Sequence, residues 1–194
     1  MITWLDVVKL TVPFLFSIIL IWIKGWYDRW SDRNSKQRVL SRLLLDELQT
    51  LPRAIEELGE ISDASGRGKL RLVSFDIPSL VSGYSRDLAA LDAGNSYIYS
   101  NLSSFFEIAN KGVERLSTLT LDRAKAGDKE SIERLNDAIK GQCRITAKDF
   151  ITYGKAARGT LDVIPEKNKS IDKQTLDDLD RRIRDGEAKA NSLA

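Results

Sequence analysis

The side chains that carry most protein chemistry are scarce in this chain. Histidine is absent, which removes the commonest general base and the commonest zinc ligand together. Cysteine occurs once, at Cys143, so neither an intrachain disulfide nor a cysteine-rich metal cage can form. A single thiol is compatible with a reducing compartment. Serine and threonine are plentiful, but without histidine a nucleophile needs a lysine or carboxylate partner, and no spacing singles one out. Two acidic groups, Glu56, Glu57, Glu60 and Asp177, Asp178, Asp180, have the composition of a cation site. Each lies on a predicted helix among arginines and lysines, which is the pattern of a solvated face. The stretch SGRGK at 65–69 suggests a phosphate loop, but its glycine spacing is wrong and Leu70 stands where a hydroxyl is needed. No catalytic, cofactor-binding or metal-ligating residue is therefore assigned. The chain reads as a non-enzyme with no cofactor.

Nucleic acid is not an expected partner either. The 30 basic and 28 acidic residues leave a formal charge of +2, too little for a gathering field. Tyr97, Tyr99, Phe105 and Phe106 have the makings of base-stacking platforms, yet Phe105 falls on a core stripe and few basic residues are near.

The elements must then explain the chain, beginning with LTVPFLFSIILIWI at 10–23, which has no charge. As a helix these 14 residues reach about 21 Å, short of a hydrocarbon layer roughly 30 Å thick. Extension back to Ile2 gives 22 residues and about 33 Å, enough to span. That extension takes in Asp6 and Lys9, three apart on one face. They are read either as an interfacial rim, with Lys9 snorkelling, or as an intramembrane pair serving oligomer contact or ion passage. Pro13 would kink such a span, which membranes tolerate.

The flanks favour a membrane. Trp22, Trp26, Tyr27 and Trp30 cluster at the distal end of the run and Trp4 at the other, as in an aromatic belt. A basic collar of Lys24, Arg29, Arg33, Lys36, Arg38 and Arg42 follows, against only Asp28 and Asp32. By the positive-inside rule the amino terminus faces out and the rest is cytoplasmic, with the collar on anionic headgroups. A cleaved signal peptide fits poorly, lacking a basic n-region and a small-x-small site.

Beyond residue 35 the apolar spacing is helical. Leu40, Leu44, Leu48, Leu51, Ile55 and Leu58 form one stripe, which Pro52 is expected to interrupt or bend. The stripe also allows the anchor helix to continue into a parallel coiled coil between protomers. ISDASGRGK at 61–69 reads as a loop. LRLVSFDIP at 70–78 reads as a short extended piece, or as Asp76 capping a helix that runs from about Pro78 to Leu91. After a break at DAGN, a second stripe runs through Ile98, Leu102, Phe105, Ala109, Val113, Leu116 and Leu119 or Thr120. LDRAKAGDKES is a turn. A third stripe carries Ile132, Leu135, Ile139, Cys143, Thr146, Phe150, Tyr153, Ala157, Leu161 and Ile164, and Pro165 ends it. Cys143 is thereby a buried structural thiol.

The expected fold is all-α, with a single amino-terminal transmembrane helix followed by a cytosolic antiparallel helical bundle. Residues 1–33 are the anchor and collar, 34–165 the bundle, and 166–194 a charged amphipathic helix and flexible tail. Leu176, Leu179 and Ile183 give that last segment an apolar edge too thin for packing.

Residues 10–45, with their apolar run and aromatic-basic collar, resemble short bacterial single-pass membrane proteins with an amino-terminal anchor and a cytosolic helical domain. Some of these are linked to phage defence. The resemblance implies residence in the bacterial inner membrane and a bundle presented to a protein partner, with homo-oligomers expected. The alternative it implies is a membrane effector of abortive-infection or toxin type that assembles through its anchor and perturbs the bilayer. An enzyme working with carboxylates or lysine alone is the third class considered.

Overall fold

The structure is a computed structural model that describes residues 4–71, 80–169 and 171–193, with side chains described from Ser17 onward. It is all-helical, with no strand among the described residues. Helix α1 spans Trp4–Gly66, α2 Leu80–Leu91, α3 Ser96–Lys125, α4 Lys129–Val163 and α5 Lys173–Ser192, and a 3-10 turn covers Glu166–Asn168.

Helix α1 is a rod of 63 residues, about 95 Å long, and Pro52 does not break it. Proline removes one N–H, the one that would reach the Leu48 carbonyl. Leu48, Leu51, Ile55 and Leu58 are all buried on one side, and packing of that face outweighs the lost bond. The predicted loop at 61–69 shortens for the same reason. Ile61 and Ala64 are buried, so the helix continues to Gly66. Beyond its end the chain turns at Gly68, whose φ of +70° is the left-handed conformation glycine adopts without steric cost.

Helices α1 and α4 pair antiparallel and form the spine. Asn34 and Gln37 meet Asn168 just beyond α4, Glu47 meets Tyr153, and Gly66 lies against Lys140. The closest approach is at Gly154, where an added Cβ would stand 2.7 Å from Leu51 Cδ2 and 3.7 Å from Leu48 Cδ2. Helix α3 runs antiparallel along another face of α4, with Gly112 against Thr146 and Phe106 edge-on to Tyr153 at 5.7 Å. Helix α2 closes the gap between α1 and α3.

The α3 stripe is rotated slightly from the expected one. Tyr99, Leu102, Phe106, Ala109, Val113, Leu116 and Thr120 are buried, while Phe105 lies at the edge of the core. Adjacent Phe105 and Phe106 leave spacing ambiguous. The choice falls to Tyr99, which packs inside because Gln37 Nε2 donates to its hydroxyl at 3.2 Å. The connection between α3 and α4 is also tighter than expected, with only residues 126–128 outside the helices. Asp128 starts α4 by accepting from the Ser131 N–H at 2.7 Å.

The carboxyl-terminal segment corrects an expectation. Rather than an exposed helix and loose tail, α5 lies against both α1 and α4. Leu179, Ile183, Gly186 and Ala190 are buried. Small residues widen the thin apolar edge: at Gly186 a Cβ would be 3.0 Å from Ile55 Cδ1. Asp172 caps the helix through the Thr175 N–H at 2.7 Å.

Among the described residues no helix is long and apolar enough to cross a membrane, so the span expected from Ile2 to Ile23 is not found there. The part of the apolar run with described side chains, Ser17–Ile23, is seven residues ending at Lys24, about 10 Å of helix. Trp4, Asp6, Lys9 and Pro13 fall among residues whose side chains are not described, and residues 72–79, with the Asp76 cap, also lie outside.

Candidate functional site

The amino-terminal arm of α1 projects its apolar residues on every side. Ile18, Ile19, Leu20, Ile21, Trp22, Ile23, Trp26 and Tyr27 are all exposed, Trp22 at 77%. A helix apolar all round is normally found inside protein or membrane. Ile18, Ile21, Trp22, Gly25, Trp26 and Arg29 line a shallow apolar hollow on the arm, floored by Gly25. Trp30 is the transition: it lies 6.0 Å from the Tyr27 ring, and the Lys167 ammonium sits 5.1 Å over its face.

The predicted collar divides here. Lys24, Arg29 and Arg42 are exposed. The other three members turn to the bundle. Lys36 pairs with Asp87 on α2 at 2.8 Å and with Asp32 at 3.3 Å. Arg33 lies 3.9 Å from Asp92, and Arg38 Nε donates to Asn168 Oδ1 at 3.3 Å. Hydrogen bonding to Asp87 is the main cause that holds the Lys36 pKa above its ordinary value.

Directly beneath the arm lies a buried polar junction that the apolar stripes pass over. Asn168, 1% exposed, donates from Nδ2 to Asn34 Oδ1 at 2.9 Å and to Gln37 Oε1 at 2.8 Å. Its backbone carbonyl accepts from Ser41 Oγ at 3.2 Å. Gln37 Nε2 donates to Tyr99 and, at 3.4 Å, to Asp92, whose same oxygen accepts from Asn95 Nδ2 at 3.1 Å. Burial is the leading reason that the Tyr99 hydroxyl is harder to ionise than usual. The junction ties α1, the α2–α3 turn and the 3-10 turn together with nearly every polar atom satisfied. A legible signal existed: Asn34, Gln37 and Ser41 continue the face of Leu44 and Leu48 at helical spacing, so their burial follows from the stripe.

A second polar contact was not anticipated. Tyr153, on the α4 stripe, donates its hydroxyl to Glu47 Oε2. Glu47 Oε1 is buried without a hydrogen-bond partner, and burial is the main influence that pushes its carboxyl up to about 7.

Burial pushes the Cys143 thiol up to about 12, so it stays protonated at neutral pH. Among the described residues no cluster of three or more His, Cys, Asp or Glu is placed to hold a metal ion. The acidic groups instead pair with bases: Glu56 with Lys189 at 3.5 Å, Glu60 with Arg71 at 2.5 Å, Asp180 with Arg158 at 3.0 Å, and Asp178 with Arg181 and Arg182. At SGRGK, Arg123 Nη2 donates to the Gly68 carbonyl at 2.9 Å, so the loop seals the far end of the bundle. What the arrangement offers is a continuous helical connection between an apolar arm and a polar-coated bundle. No protein-family model, curated protein or solved structure matches the chain.

Proposed function

We propose that the protein is a membrane-tethered helical interaction module with no catalysis of its own, presenting its bundle to a protein partner. The observation that carries this reading is the change of character along the one helix α1. Its arm exposes Ile, Leu and Trp on all sides up to Trp30, while from Asn34 the same helix buries one face in the bundle. Nine exposed large hydrophobics within residues 18–30 are costly in water. A bilayer satisfies them, with Trp22, Trp26, Tyr27 and Trp30 at its interface and Lys24, Arg29 and Arg42 toward anionic headgroups. The reading places the protein in the bacterial inner membrane, amino terminus out and bundle in the cytoplasm. A bundle continuous with its anchor is held at a fixed stand-off from the bilayer, which suits a platform for a partner.

The test is topological. In right-side-out inner-membrane vesicles the bundle of the full chain is expected to resist added protease, and in inverted vesicles to be cleaved. Cleavage in the right-side-out preparation, or release of intact chain by alkaline carbonate, contradicts the proposal. The effector alternative rests on Asp6, Lys9 and Pro13, and dissipation of membrane potential on expression of the full chain is the result that would favour it.

A further inference from the structure

We propose that Glu47 and Tyr153 form a proton-sensitive latch on the α1–α4 spine, closed while the Glu47 carboxyl is protonated and loosened when it ionises. This inference concerns the bundle alone and does not rest on the membrane reading.

The geometry is that of a half-buried carboxyl with one of its two oxygens fully enclosed. Glu47 Oε2 accepts the Tyr153 hydroxyl, and Oε1 is buried with no hydrogen-bond partner. An ionised carboxylate has acceptor sites on both oxygens and is poorly served by one neutral donor. A protonated carboxyl has fewer acceptor sites to satisfy and no charge to solvate. The site sits beside Gly154, where α1 and α4 come closest and a Cβ would meet Leu51 Cδ2 at 2.7 Å.

The surroundings compensate only in part: the Tyr153 hydroxyl bond favours the ionised carboxylate, but burial outweighs it. On α1 the neighbouring Asp46 is acidic, and its charge pushes the Glu47 carboxyl the same way as burial does. From α4 the facing group is Tyr153, itself hard to ionise, mainly through burial. From α3 the contribution is apolar, the edge of Phe106 against the Tyr153 ring. From α5 it is Ile183, 3.8 Å from the position of a Gly154 Cβ. Arg158, further along α4, is taken up by Asp162 at 2.5 Å and Asp180 at 3.0 Å. No cation is among the influences on Glu47. Opening near neutral pH would therefore respond to modest changes in the acidity around the bundle.

The experiment uses the full chain in a neutral detergent. Unfolding midpoints of the wild type and of Glu47→Gln are followed from pH 4.5 to 8.5. The gap between them is expected to widen in favour of Glu47→Gln between pH 5 and 7 and to level above 7. Amide exchange of residues 44–51 and 150–157, corrected for intrinsic rates, is expected to accelerate in the wild type over the same range and not in the variant. Carboxyl-carbon NMR of the wild type needs no variant to fold, and it is expected to show one glutamate titrating near neutrality that vanishes in Glu47→Gln. A gap independent of pH, or a Glu47 resonance titrating in the usual carboxylate range, overturns the proposal.

Discussion

Asn168 shows how one side chain can join two elements, the 3-10 turn and α1. It saturates its carboxamide against Asn34, Gln37 and Arg38 inside the bundle. Replacing it with alanine leaves Asn34 and Gln37 unsatisfied in a buried place, each at about 1–3 kcal/mol. Asn168→Ala is accordingly expected to destabilise the chain by about 2–4 kcal/mol in chemical denaturation, with near-UV signals of Tyr99 and Trp30 altered together. Glu47 makes a second residue-scale prediction, and its sign follows from linkage. Burial holds its folded pKa at about 7, above the ordinary glutamate value of 4.5, so folding favours the proton-bound form. That stability is fully present below the unfolded pKa and is lost as pH rises from about 4.5 to about 7. The shift is 7 − 4.5, or 2.5, which corresponds to an upper bound of about 3 kcal/mol. Glu47→Gln removes the dependence, and denaturation at pH 8 is expected to show it as the more stable protein.

At the scale of elements, α5 carries the sharpest prediction because it departs most from what its composition suggests. Ile183 is buried between α1 and α4, near Gly154. Ile183→Asp buries a charge without a partner there, and is expected to cost about 3–5 kcal/mol. Arg181→Ala on the exposed side is expected to change stability by less than about 0.5 kcal/mol. Equal effects in a urea titration would mean that α5 is not docked. Much of this architecture is legible in the sequence. The buried sides of α1 and α4 follow stripes of unbroken three- and four-residue steps, such as Leu40 to Leu58 and Ile139 to Ile164. What was not legible turned on small or polar residues that periodicity discounts. Gly186 and Ala190 complete the α5 face, Tyr99 enters the core because Gln37 meets its hydroxyl, and Pro52 is carried through by its packed neighbours. The collar divided for a related reason. Sequence marks Arg33, Lys36 and Arg38 as basic, but Asp92, Asp87 and Asn168, which claim them, lie more than 50 residues away in the chain.

For the whole molecule, the central claim is that the arm of α1 is lodged in a bilayer while the bundle stays outside it. Arm and bundle are joined by one continuous helix, α1. The tryptophans give a direct probe. All four, Trp4, Trp22, Trp26 and Trp30, belong to the first 30 residues, so intrinsic tryptophan fluorescence reads the arm and not the bundle core. The full chain is reconstituted into phosphatidylethanolamine–phosphatidylglycerol vesicles whose acyl chains are brominated near the headgroup or near the midplane. Strong quenching by the shallow bromines, weaker quenching by the deep ones, and persistence of both after a high-salt wash are predicted. Fluorescence that neither bromine position quenches, from protein bound to the vesicles or left in solution, contradicts the membrane tether.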